Sequence, residues 1–215
     1  MRSFVRPALL TAGLAVGVLA FGANAVTTSA LPKSLITTDP AGDTANPVGA
    51  GDLTKVTYTT SGTTKKSGTK TIYTPKALVI VVETADAIDS SGGTEYEIDG
   101  TLDGCGSFSV YATPGNDAAT GASIGCGGTG SLDPVGLIPD STRSLTPDVV
   151  TGDKKITFTI HFADASDVLK AGASLSAMHP FTAAVDPVFG FVGPYMVSSK
   201  GETDSADSAT PYKIG

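Results

Sequence analysis

Apolar and polar residues alternate with a period of two along much of this chain. The clearest stretch is Ile156-Thr157-Phe158-Thr159-Ile160-His161-Phe162, where the alternation is unbroken, as a half-buried antiparallel strand requires. Lys55 to Thr60 alternates in the same way, with Val56 and Tyr58 on one face. Ala77 to Val82 is instead continuously apolar and rich in β-branched residues, which predicts a central strand covered on both faces. Further strands are expected at Tyr96 to Leu102, Ser107 to Ala112, Ala173 to Ala177, Tyr195 to Ser198 and Pro211 to Ile214. Clusters of Gly, Pro, Asn and Asp separate them at intervals of about ten residues. Only Asp164 to Lys170 has a helical pattern, for about two turns. Long loops are expected at Gly127 to Pro147 and Glu202 to Thr210.

Many short strands with turn residues between them predict an all-β fold, an antiparallel β-sandwich with long loops and at most one short helix. Composition agrees. Of 215 residues, 26 are Gly and 13 Pro while only 16% are charged, a turn-rich globular balance rather than that of a coiled coil or charged disorder. The length suits one domain over residues 36–215, too large to depend on a metal or disulfides in place of a core. Thr84 to Asp89 and Phe162 to Asp167 echo one another, each after a strongly apolar strand. Shared Asx-turn or capping chemistry is the simplest account of that likeness.

The first 25 residues divide as an export leader. Arg2 and Arg6 precede an apolar stretch from Ala8 to Phe21, and Ala23-Asn24-Ala25 offers small residues for cleavage between Ala25 and Val26. Fourteen apolar residues span about 21 Å of helix, short of a hydrocarbon core of about 30 Å. The remaining apolar runs are shorter, so no membrane span is expected in the mature chain, which would start with a lead segment at 26–35 and be secreted. Removing Arg2 and Arg6 leaves 12 basic against 21 acidic residues, a net charge of −9. That balance excludes nucleic acid as the natural partner, because phosphate binding needs clustered cations.

Cys105 and Cys126 are the only cysteines, and an oxidising compartment lets them pair. Their midpoint falls within the turn sequence Pro114-Gly115-Asn116-Asp117, and the flanking segments Gly106 to Thr113 and Ala118 to Gly125 are equally long. A hairpin turning there brings the two cysteines together at the open end of its ladder.

Candidate chemistry is sparse. Asp39-Pro40-Ala41-Gly42-Asp43, followed by Asp52 at the start of a strand, is either an acidic turn or a set of hard oxygen ligands for calcium, without the spacing of an EF-hand. Gly121-Ala122-Ser123-Ile124-Gly125 has the GxSxG pattern of serine hydrolases, with His161 and His179 after it. The continuation Cys126-Gly127-Gly128 does not readily start the helix that a nucleophile elbow needs, so these glycines read as part of the disulfide hairpin. His161 falls on the polar face of its strand, His179 precedes Pro180 in an expected loop, and no HxH or HExxH spacing exists.

The run Thr38-Asp39-Pro40-Ala41-Gly42-Asp43, then Gly51-Asp52-Leu53-Thr54-Lys55-Val56, then a long apolar strand ending at Ala85-Asp86, resembles secreted bacterial β-sandwich domains of the DOMON-like type, which are related to carbohydrate-binding family 9. The Lys154 to Phe162 strand and the closing Pro211-Tyr212-Lys213-Ile214 fit it too. The resemblance covers about residues 36–214 and implies a DOMON-like sandwich, with an immunoglobulin-like one as the alternative. It implies a sugar or haem ligand, or none, and calcium near the first strands. The chain lacks tryptophan, the residue that grips sugars in such domains, so stacking would fall to Tyr or Phe. Met178, Met196, His161 and His179 are the available haem ligands, but Met178 and His179 are sequence neighbours and would not both face one iron. The expected function is a non-enzymatic binding or structural module, with a glycan or cell-envelope component as partner. The competing expectation is an extracellular hydrolase.

Overall fold

In the computed structural model, which describes residues 34–43, 51–116, 119–126, 142–185 and 199–215, the period-two pattern becomes two antiparallel sheets. The first contains β1 (Leu35–Thr38), β2 (Leu53–Ser67), β3 (Lys70–Thr84), β8 (Asp148–Thr151) and β9 (Lys155–His161), in the order β1-β2-β3-β9-β8. The second contains β4 (Thr94–Leu102), β5 (Gly106–Ala112), β6 (Thr120–Gly125), β7 (Thr142–Leu145), β10 (Ser174–Val185), β11 (Ser199–Ser205) and β12 (Tyr212–Lys213). Its order is β11-β10-β4-β5-β6-β7, with β12 beside β10. This is the all-β sandwich arrangement that the periodicity predicts.

The core lies between the sheets. Val56, Tyr58, Leu78, Ile80, Val82, Ile156, Phe158 and Ile160 come from the first, and Tyr96, Ile98, Phe108, Val110, Ile124 and Leu175 from the second. Each large apolar side chain buried this way contributes about 1.5–3 kcal/mol. Few polar groups cross the interior. One pair that does is Thr60 Oγ1 and Tyr212 Oη, 2.6 Å apart, beside the tilted Tyr58–Tyr212 rings at 6.3 Å.

Several expected elements change. β3 is central, but only Leu78, Ile80 and Val82 face the core, while Val79 and Val81 are half-buried on the outer side. Its apolar run therefore does not signal cover on both faces. β2 runs on to Ser67 and β3 starts at Lys70, so their hairpin projects about seven residues beyond the core, all exposed on the β2 side. No α-helix forms at Asp164 to Lys170 among the described residues; a 3₁₀ turn spans Phe162–Asp164, and Leu169 N donates to Ala165 O at 2.7 Å in one isolated turn. β11 occupies the first part of the expected loop Glu202 to Thr210, and β7 lies inside the expected loop Gly127 to Pro147. The expected strand Tyr195 to Ser198, the leader with its cleavage site Ala25 and Val26, and Met196 lie outside the described residues.

β5 and β6 form the anticipated hairpin, pairing from Phe108 with Ile124 to Ala112 with Thr120. Cys105 and Cys126 are joined by a disulfide just beyond that ladder. Gly106 lets the strands close there, since a Cβ at this position would lie 2.9 Å from Gly125 O. The bridge closes a loop with a sequence separation of 21, which stabilises by about 3 kcal/mol through the unfolded state. Cys105→Ser with Cys126→Ser should therefore lower the urea unfolding free energy by about that amount; an unchanged midpoint would show the bridge to be dispensable.

Candidate metal centre

The acidic turn after β1 meets the far edge of the second sheet. Asp39 follows β1, and its amide donates to Thr54 O at 3.0 Å, which folds the turn back onto β2. Gly42, with φ of 92°, adopts the left-handed bend that Pro40 and Ala41 lead into. Its N–H donates to Asp52 Oδ2 at 2.7 Å. Asp52 is 4% exposed and sits immediately before β2. The turn is thus tied to a buried carboxylate rather than left open.

The third member of the cluster comes from β11. Asp204, 9% exposed, accepts the Leu53 amide at 2.5 Å and the Ser205 amide at 3.0 Å. Its carboxyl lies close to that of Asp39. One oxygen each from Asp39, Asp43 and Asp204 lies within 4.8 Å of the others. Thr182 Oγ1 donates to Gly51 O at 2.8 Å beside them; Gly51 has φ of 94° and would bring any Cβ to 3.0 Å from Thr182, so glycine is required on both counts. The cluster therefore bridges the two sheets at one end of the sandwich.

Its electrostatics are unfavourable as it stands. Burial, followed by repulsion from Asp39 and Asp43, pushes the Asp204 carboxyl up to about 6, against the pull of the Leu53 amide. Burial, then Asp43, raises Asp39 as well. Asp39 Oδ2 and Asp52 Oδ1 are buried without hydrogen-bond partners, which costs about 1–3 kcal/mol for each such group. Convergent carboxylates of this kind accept a hard cation through oxygen alone.

The sequence-derived set was Asp39, Asp43 and Asp52. The structure brings Asp39 and Asp43 together, sets Asp52 behind them as the support of the turn, and adds Asp204. Asp204 lies over 150 residues away in a segment read as a loop, and no local pattern marks it. The other candidates are dispersed. Ser123 lies mid-strand on β6, opposite Ser109 and Ser144, not at a strand-to-helix elbow. His161 ends β9 in the first sheet, with Nε2 2.8 Å from Asp148 Oδ2. His179 belongs to β10 rather than a loop, and its Nδ1 lies 2.5 Å from Asp207 Oδ1. Met178 is buried in the core, on the opposite face of β10 from His179, so the two do not share an iron.

No family model, curated protein or solved structure matches this chain.

The Asp204 shift fixes a pH dependence. A carboxyl whose folded pKa stands above its ordinary value contributes stability that is complete at low pH and is lost as pH rises from about 4 to about 6. In chelator, the stability of wild type relative to Asp204→Asn should fall across that window, read from thermal midpoints. A difference that stays constant with pH would contradict the assigned electrostatics.

Proposed function

We propose that this chain is an exported, non-enzymatic β-sandwich of the DOMON-like type, a binding or structural module for a glycan or other cell-envelope component, with calcium fixing the seam between its sheets. One observation carries the calcium assignment. Carboxylate oxygens of Asp39, Asp43 and Asp204 converge within 4.8 Å from both sheets, with the buried, partnerless Asp52 oxygen in the same seam. Oxygen-only donors on a turn and a strand edge suit calcium, which accepts six to eight ligands in adaptable geometry and is abundant outside cells.

Export is supported by the leader pattern of residues 1–25. Among the described residues no helix is long and apolar enough to cross a membrane. The non-enzymatic reading draws support from the dispersal of Ser123, His161 and His179, and from the lining of a described cavity of about 340 Å³, which includes Thr113, Pro114, Gly115, Thr120 and Thr151 but no titratable side chain. The glycan or envelope partner is inferred from export and from the resemblance of the Asp39 to Val56 segment.

Calcium at about 10 mM, acting on a site with a dissociation constant of about 1 mM, contributes about 1.4 kcal/mol. That should raise the melting temperature by about 3–6 °C in a domain of this size. Asp43→Ala and Asp204→Asn should each abolish the rise. No rise in wild type, or an equal rise in both variants, would end the calcium proposal.

A further inference from the structure

The outward face of the second sheet gathers acids for which the calcium centre has no use. Glu95, Glu97 and Asp99 occupy alternate positions of β4, and since Tyr96, Ile98 and Leu102 take the core-facing ones, the three carboxyls project away from the core. The Glu97 carboxyl lies close to those of Glu95 and Asp99 and accepts Ser109 Oγ from β5 at 2.7 Å. Glu95 is only 6% exposed, and its Oε2 has no hydrogen-bond partner. Among the residues whose side chains are described, no Lys or Arg forms an ion pair with any of the three. Burial, then repulsion from Asp99 and Glu95, accordingly holds Glu97 up at about 8.

Aromatic residues flank this row. Phe181 on β10 and Tyr111 on β5 stand directly opposite Glu97, one on each side, and His179 stands opposite Asp99. A bulge at Ala177, where φ is 48°, sets this up: Met178 turns into the core, and His179 and Phe181 turn outward. The Phe181 and His179 rings are 5.2 Å apart. The Tyr111 ring lies over Gly121, where a Cβ would stand 2.7 Å from its Oη. With strands about 4.8 Å apart, the Phe181 and Tyr111 backbones are about 10 Å from each other and Glu97 is midway.

The chemistry selects a ligand class. A hard divalent ion gains nothing from Phe or Tyr, and among the described residues only the Asp39, Asp43 and Asp204 oxygens converge as such an ion needs. A neutral sugar could use the rings but would bring no charge to a row that burial and mutual repulsion keep from ionising fully. An organic ammonium answers both features, because its positive charge, with N–H donors where it carries them, faces the carboxylates while its alkyl part lies against rings, each attractive within about 6 Å of the cation. We propose that the outward face of β4 between Phe181 and Tyr111 is a binding site for a primary or methylated ammonium group of an extracellular ligand, held by Glu95, Glu97 and Asp99. This goes beyond the calcium reading and stands without it, since Asp204 pairs with the core-facing Thr182 and so lies on the other face of the second sheet.

Titration of the full chain with n-butylammonium and with tetramethylammonium, followed by NMR, tests it, with n-butanol and glucose as neutral controls at constant ionic strength. Saturable amide shifts in β4, β5 and β10 are expected, with dissociation constants of about 1–10 mM and no response to the neutral probes. The isosteric Glu97→Gln, which relieves repulsion and should keep or raise the melting temperature, should weaken ammonium binding at least about tenfold. Phe181→Leu should weaken it about threefold or more. Asp43→Ala should retain it, so that failure here is separable from failure of the calcium reading. Silence to both ammonium probes, a saturable response to glucose instead, or unchanged affinity in Glu97→Gln would overturn the proposal.

Discussion

The two sheets have no hydrogen-bond ladder in common, so what holds one against the other is the exclusion of water from the faces between them. Every other feature is fitted around that requirement. Among the described residues, polar ties between the sheets include Leu53 N to Asp204 and Thr182 Oγ1 to Gly51 O where the apolar faces end, and Thr60 Oγ1 with Tyr212 Oη in the interior. The first two lie together at the seam that carries Asp39, Asp43 and Asp52. An amide that starts β2 needs an acceptor there, and a carboxylate from the other sheet supplies it. Surrounding that acceptor with three further aspartates is not required for folding, and it raises the electrostatic cost of the seam. A seam built this way gains most from a cation that only the folded chain can assemble.

Strand periodicity made the core legible. Alternation alone puts Val56 and Tyr58 on one face and makes Ile156 to Phe162 a half-buried strand, and Val56, Tyr58, Phe158 and Ile160 lie in the core. The cysteine pairing was legible because equal segments about a Gly-Asn turn leave little choice of register. Elements built from polar residues were not legible. The outer half of the β2–β3 hairpin, Ser61 to Lys76, has few apolar residues to mark a strand, and its pairing is dictated by the turn at Gly68 and by continuity with the ladder below. β11, with the sequence Ser199 to Ser205, is a strand because β10 offers it an edge, and that reason is not local. Asp204 could be recognised only once that pairing was known. The Ala77 to Val82 run misled in the other direction, since β-branched residues suit an exposed pleated surface as well as a buried one.

The two groups of acids differ in how the backbone presents them. Asp39 and Asp43 come from a turn and Asp204 from a strand edge, so their oxygens can be aimed at one point, and a small hard ion fits. Glu95, Glu97 and Asp99 are fixed to one strand, where alternate residues are about 6.6 Å apart, so the carboxyls form a row with neighbours in contact and ends that diverge. A row cannot close around a metal. It can run along an extended ligand, with Phe181 and Tyr111 on the neighbouring strands to either side.

One irregularity links the interior to this outer surface. Leu175 faces the core, and in an unbroken strand Ala177, His179 and Phe181 would follow it inward while Met178 and Pro180 faced out. The extra residue at Ala177 reverses this, so that Met178 and Pro180 are buried and the imidazole and phenyl rings emerge beside Glu97 and Asp99. Alternation read through Ala177 therefore gives the wrong face for every residue after it, which is why the sequence pattern of this strand fades there. A positive φ at an alanine is strained by about 1–3 kcal/mol, and the core gains a methionine in place of an imidazole that would have to be desolvated. The same exchange leaves the carboxyl row with aromatic neighbours, so the residue that completes the interior also sets the chemistry of the surface behind it.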